Sequence, residues 1–166
     1  MRIWIISGLV GLAVRRPYFH LPGYMERFWL LGGSNPERDE RPDTQRGWHR
    51  NRIDAWVGRR VAARLHHTLR SDAQRHLHNH PFRYLTIILR GGYFEITAAP
   101  DGSECRRWYG PGSIIWRGLD HFHRLELPAG HYCLTLFVMG RKRQPWGFST
   151  PAGFVHWQDY EAGGAA

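Results

Sequence analysis

The chain has 166 residues, a mass of 19.4 kDa and a formal net charge of +9, with Lys142 the single lysine among its 23 basic residues. That length is simplest as one domain with a real core, and 19 glycines, 10 prolines and 14% aromatics suit short strands and tight turns better than a helical bundle. Two cysteines, Cys105 and Cys133, make no disulfide framework, and the lack of Cys pairs at zinc spacing argues against a thiolate metal site; one bridge between them stays open, and a reducing cytoplasm is the default expectation.

Residues 3–14 are apolar but fall short of the roughly 20 needed to span a bilayer. Arg2 ahead of them suggests a weak signal-peptide core, yet Arg15-Arg16-Pro17 follows where a small-residue cleavage site would stand. An extension or a structural N-terminal strand is favoured over secretion. A start at Met25 is a third reading, so whether residues 1–24 belong to the mature chain stays open. No membrane association is expected.

Residues 24–31 read as a short strand closed by Gly32-Gly33, and residues 34–52 as a long polar surface loop. Residues 53–61 carry a weak helical stripe, and 61–69 a loose strand alternation. A turn at Ser71-Asp72 then leads into His76-Leu77-His78-Asn79-His80-Pro81. On an extended strand every second residue faces the same way, so His78 and His80 converge, with His76 as a less secure third. Pro81 cannot donate to a ladder and marks an edge or bulge. Residues 82–89 form a strand with apolar residues on both faces, turned by Gly91-Gly92 into a strand from Tyr93. Ala99-Pro100-Asp101-Gly102 makes a hairpin turn into 104–109. Gly110-Pro111-Gly112 turns again into 113–116, and a second cluster, His121-Phe122-His123, opens the segment 121–127. Residues 131–139 read as a central strand, followed by the basic run Arg141-Lys142-Arg143 and an aromatic closing segment. In that segment Trp146, Phe148, Phe154 and Trp157 are expected to form a lid over a barrel. Turn signals every eight to twelve residues argue for an all-β sandwich or barrel and against βαβ units. The division expected is an N-terminal extension and loop at 1–60, a barrel at 61–160 and a frayed tail at 161–166.

His78-x-His80, the strand after it, Gly91-Gly92, and His123 eleven residues beyond Gly112 resemble the two-part signature of the cupin superfamily. The resemblance covers residues 69–138. It implies a double-stranded β-helix, or jelly-roll barrel, with a metal in one mouth held by His78, His80 and His123. The family's glutamate would fall at Tyr84 or Leu85, and neither is a carboxylate. Arg117-Gly118-Leu119-Asp120 replaces the usual approach to the second-motif histidine. More narrowly, Leu77–Phe82, Ile88–Tyr93 and His123–Leu127 are similar to bacterial and phage cupin-like proteins carrying LHDHP, LRGGY and HRVEL runs. That narrower likeness bears on fold and metal and leaves the reaction open.

Three imidazoles leave positions for substrate on one divalent transition metal, Fe, Ni, Mn, Co or Zn. A neutral ligand set leaves the ion's charge uncompensated and favours a small anionic substrate. Tyr84, in the glutamate's place, His121, on the same face as His123, and Glu95, the nearest carboxylate on the following strand, are the candidate acid–base groups. Against each stands a plainer role: a packed core tyrosine, a surface histidine, and a carboxylate paired with an arginine. Arg117 and Arg124 flank the second histidine cluster and are candidate substrate clamps. The leading expectation is a mononuclear metalloenzyme, dioxygenase-type first and isomerase or epimerase second; the alternative is a non-catalytic ligand-binding or sensor barrel. Nucleic-acid association, suggested by the charge and by residues 38–70, ranks third because acidic residues interrupt that run. A homodimer is compatible with the resemblance.

Overall fold

The computed structural model describes residues 2–18, 20–32, 60–72 and 76–163. The loop expected over 34–52 lies outside those residues, as does nearly all of the weak helical stripe at 53–61. The described chain is dominated by eleven strands: β1 (Met25–Leu31), β2 (Ala62–Thr68), β3 (Leu77–His78), β4 (Tyr84–Gly91), β5 (Tyr93–Ala98), β6 (Glu104–Tyr109), β7 (Ile114–Arg117), β8 (Arg124–Glu126), β9 (Cys133–Met139), β10 (Gly147–Thr150) and β11 (Gly153–His156). Two helices, α1 (Arg2–Ala13) and α2 (Trp157–Ala162), flank them.

One sheet has five antiparallel strands in the order β1-β2-β9-β4-β7. It therefore includes Met25–Leu31, a strand from the segment expected to be an N-terminal extension. The opposing layer consists of β11-β10-β3 and β6-β5-β8. These two halves are joined by a single antiparallel bridge between His78 and His123. Strand alternation fills the space between the layers. Along β9, Cys133, Thr135, Phe137 and Met139 are buried and the residues between them are half-buried. Ile88, Ile115 and Cys133 from one layer pack with Tyr93, Tyr109 and Leu127 from the other. A second cluster gathers Tyr18, Trp29, Ala62, Tyr84, Phe137 and Met139. This is the all-β jelly-roll arrangement expected from the turn spacing. Both cysteines are free thiols, Cys105 exposed and Cys133 buried.

One local expectation is corrected. Residues 2–13 form a helix, not a strand. The open edge of β1 is taken up by residues 16–18: Tyr18 donates to the Arg27 carbonyl at 2.9 Å and Trp29 to the Arg16 carbonyl at 2.8 Å. The preceding residues thus have no sheet to join, and a helix satisfies their backbone groups internally. No described helix is long and apolar enough to cross a membrane. The aromatic closing segment is the hairpin β10–β11 followed by α2. Phe148 stacks on Tyr160 with 3.9 Å between ring centroids, and Trp146 stacks on Trp157 at 5.4 Å. Phe154, by contrast, is exposed. At the far side of the five-stranded sheet β7 pairs, among the described residues, with β4 alone, and its Ile114 and Trp116 are 69% and 62% exposed.

Gly91 ends β4 with φ +70°, and a Cβ there would lie 1.8 Å from the Tyr132 carbonyl oxygen. Gly130 has a similar φ, +73°, but open space around it. Gly91→Ala is therefore expected to cost about 3 kcal/mol or more, from backbone strain and overpacking combined. Gly130→Ala should cost only the strain, about 1 kcal/mol. Paired denaturant titrations check this, and equal costs would count against the close approach.

Candidate metal centre

The bridge that joins the two halves of the second layer also builds the site. The His78 N–H donates to the His123 carbonyl at 2.8 Å, and the His123 N–H donates back to the His78 carbonyl at 2.9 Å. This exchange sets the two histidine motifs side by side although they lie 45 positions apart in sequence. β3 stops after two residues. Asn79 then locks onto β10, its N–H reaching the Gly147 carbonyl at 3.1 Å and its side-chain oxygen accepting from the Gly147 N–H at 2.9 Å. The His80 carbonyl accepts from Gln144 Nε2 at 3.1 Å. Backbone contacts on both sides thus fix the short stretch 78–80, and no longer strand is needed.

One ligand nitrogen from each of His78, His80 and His123 falls within 4.8 Å of the other two. His80 Nε2 lies 3.1 Å from His123 Nε2, and the Tyr84 hydroxyl 3.2 Å from that same His123 nitrogen. Aromatic rings hold the imidazoles in place: His80 packs edge-on to Tyr84 at 4.7 Å between centroids, and His78 packs against Phe148 at 6.1 Å. Burial, with neighbouring imidazoles adding to it, lowers the pKa of His78 to about 4, against a smaller opposing pull from Asp72. Burial and then His78 and His123 likewise push His80 well below the usual histidine value. Both rings are therefore neutral at physiological pH, with lone pairs available. The donor set fits a borderline divalent transition metal: three imidazoles drawn from two segments of the chain, 78–80 and 123. Burial, followed by the charge of Glu95, raises Tyr84 well above the ordinary tyrosine value, so it remains a phenol able to donate.

A second group, Glu95, His121 and His123, shares the ring of His123. Glu95 is 3% exposed, and its Oε1 sits 3.0 Å from both His121 Nε2 and His123 Nδ1 and 3.2 Å from Arg117 Nε. Its Oε2 takes a close bond from the second guanidinium nitrogen of Arg117, which also reaches the Tyr109 hydroxyl at 2.8 Å. Burial would raise the carboxyl pKa, but hydrogen bonds from His121, His123 and Arg117 overcome it and hold Glu95 ionised far below the usual range.

The structure thus brings together His78, His80, His123, Tyr84, Glu95, His121 and Arg117. Arg117 arrives as the partner of Glu95, with its guanidinium already engaged. Arg124 is not part of this assembly, because it pairs with Glu104 on the exposed side of β8 and β6. His76 turns to the Tyr160 hydroxyl at 2.9 Å. His66 is half-buried and stacks on Phe137 at 4.8 Å between centroids. Three contributors had no sequence signal beyond their turn-forming or polar character: Asn79, Gln144 and Asp72. The carboxylate of Asp72 stands 3.9 Å from His78 Nδ1, held by the Leu125 N–H at 2.6 Å and by a close bond from the Tyr24 hydroxyl.

No family model matches the sequence, and no curated protein matches it. Solved structures do match. The polyketide cyclase RemF from Streptomyces resistomycificus superposes with a TM-score of 0.55 at 17% identity, over 89% of this chain and 86% of that one. A single-residue variant of oxalate decarboxylase from Bacillus subtilis gives a TM-score of 0.55 at 11% identity, over 90% of this chain and 33% of that one. A further structure of that decarboxylase, studied for its Mn(II) centres, gives 0.50 at 14% identity, over 84% and 30%. The chain spans about a third of the length of the decarboxylase. At these identities the likeness shows the fold, which is cupin-like.

The neutral, largely desolvated histidines give the metal-free protein a specific acid response. His78 titrates near 4 when folded and near 6.5 when unfolded, so between those values the unfolded chain binds more protons. His66 and His80 are lowered in the same direction by burial. Stability should therefore fall as pH drops from about 6.5 toward 4. The Glu95 contribution is lost only below the ordinary carboxylate pKa, because its folded value is depressed. Calorimetry of metal-free protein across this range checks the sign, and a melting temperature flat from pH 6.5 to 4 would contradict neutral burial.

Proposed function

We propose that the protein binds one divalent transition metal through His78, His80 and His123 and acts as a mononuclear metalloenzyme on a small anionic molecule. The observation that carries this reading is the convergence of three imidazole nitrogens from two separated segments of the chain, with His78 and His80 held neutral by burial. Fe, Ni, Mn, Co and Zn all suit such a set. The Mn(II) centres of the superposable decarboxylase make manganese one of the ions to test first. When bound, the ion would supply Lewis acidity and a positive charge to hold an anion. The chain's own groups then have distinct tasks. Tyr84 offers a phenolic hydrogen-bond donor beside His123 Nε2, in the place where the cupin signature carries a carboxylate. A positive rim is available as well: Arg141, Lys142 and Arg143 are exposed, and their loop is tied by Gln144 to the His80 carbonyl and by the Arg143 N–H to the Pro81 carbonyl. That loop is better placed than Arg117 or Arg124, which are both engaged with glutamates, to attract an anion. A dioxygenase-type reaction is the first choice and an isomerase or epimerase the second.

One observation favours a second reading, a ligand-binding or sensor barrel without turnover. The buried carboxylate nearest the imidazoles is already saturated by Arg117, His121 and His123, which leaves no free general base there.

Purified protein is expected to carry or take up about one metal ion per chain, read by elemental analysis. His78→Ala, His80→Ala and His123→Ala should each weaken uptake by more than the roughly 10–100-fold typical of outer-sphere changes. Full metal retention in all three would remove the site. Tyr84→Phe is expected to keep the metal while lowering turnover about 10–100-fold for any substrate found in a metabolite screen. Metal binding with no turnover across such a screen would favour the sensor reading.

A further inference from the structure

Glu95 was a candidate ligand or base, yet its lone pairs are already occupied. Oε1 receives Arg117 Nε, His121 Nε2 and His123 Nδ1, and Oε2 receives the second Arg117 nitrogen. A metal ion coordinated by this carboxylate would have to displace at least one of these donors and would stand next to a guanidinium. Of the two groups that share His123, the three-histidine set is therefore the better home for a cation. Glu95 has a different task.

We propose that Glu95 is a positioning residue that fixes the ring of His123 with its Nδ1 protonated and its Nε2 bare and aimed at His78, His80 and Tyr84. A carboxylate can only accept, so the His123 nitrogen that faces it at 3.0 Å must carry the proton. In a neutral imidazole the opposite nitrogen is then the lone-pair atom. That nitrogen is the one 3.1 Å from His80 Nε2 and 3.2 Å from the Tyr84 hydroxyl, which donates to it. Arg117 and His121 hold the carboxylate itself. Arg117 grips both oxygens in a fork, and register delivers it: Arg117 faces Tyr84 across β7 and β4, which turns its side chain inward toward β5. The order of influence runs from Arg117 and His121 to Glu95, then to the His123 ring, then to the metal-facing nitrogen. Outer carboxylates of this kind set both the orientation and the basicity of a ligating imidazole. The proposal rests on the metal reading above for its consequence, although the arrangement of the ring can be measured without metal.

Two experiments test it. In metal-free wild-type protein, two-bond proton–nitrogen correlation spectra of the histidine rings should show His123 protonated at Nδ1 and unprotonated at Nε2; the opposite tautomer would overturn the proposal. In a second experiment the double variant Glu95→Gln/Arg117→Met, which avoids stranding a buried guanidinium, is titrated with Zn(II) beside wild type. Binding should weaken about 10–100-fold while the far-ultraviolet dichroism is unchanged, and the His123 nitrogen signals should move toward a mixture of tautomers. Adding Asp at position 95 with Arg117 retained, as Glu95→Asp, should recover part of the affinity. Unchanged Zn(II) affinity in the double variant would overturn the positioning role. Wild-type protein that binds no Zn(II), Mn(II) or Co(II) would sink the metal reading, and the tautomer measurement would still decide how Glu95 holds the ring.

Discussion

Two backbone hydrogen bonds between His78 and His123 carry more consequence than any others in the molecule. They close the second layer of the barrel, since they alone join the β3 side to the β8 side among the described ladders. They also bring the two histidine motifs to the same spot, because each donor residue is itself a site residue. Fold closure and site assembly are thus one event. The usual separation between a rigid scaffold and a functional loop does not hold here, since ladder and site share residues.

Charge around the site is set by burial and by hydrogen bonding. His78 and His80 at its centre are neutral because burial penalises their charged form. Behind the three imidazoles sit two carboxylates, Glu95 at hydrogen-bonding distance and Asp72 slightly farther, each held by donors of its own. Arg117 grips Glu95, while the exposed run 141–143 belongs to a loop tied to Pro81 and His80. A buried carboxylate without partners would be costly and would take up a proton. The network around Glu95 keeps it charged, so the ring in front of it stays in one orientation.

Much of the fold was legible because its rules are local. Turn residues at 91–92, 99–102 and 110–112 mark strand ends that the ladders respect within a residue or two, and period-two alternation gives the buried side of β9. Residue type and spacing singled out His78, His80 and His123. What escaped the sequence depended on register. Whether Glu95 serves as ligand, base or clamp is decided by β5 lying beside β8, with Glu95 opposite Leu125, and no local signal specifies that pairing. Arg117 faces inward for the same reason. Arg124 could have been read better: it directly follows His123, and adjacent strand residues point to opposite faces. The N-terminal helix was missed because its β-branched residues suit a strand, while the competitor for the β1 edge, residues 16–18, comes later in the chain.

The short strand β7 shapes how the molecule meets its neighbours. Among the described residues its outer side has no strand partner, which leaves a peptide edge beside Ile114 and Trp116, a combination that elsewhere invites chains to stack edge to edge. Here the exposed run is only four residues long, and the Gly110-Pro111-Gly112 bend before it denies any visitor a longer template. The outward apolar pair thus sits on a blunt rim, which limits self-templated aggregation without the lysines that many such borders use.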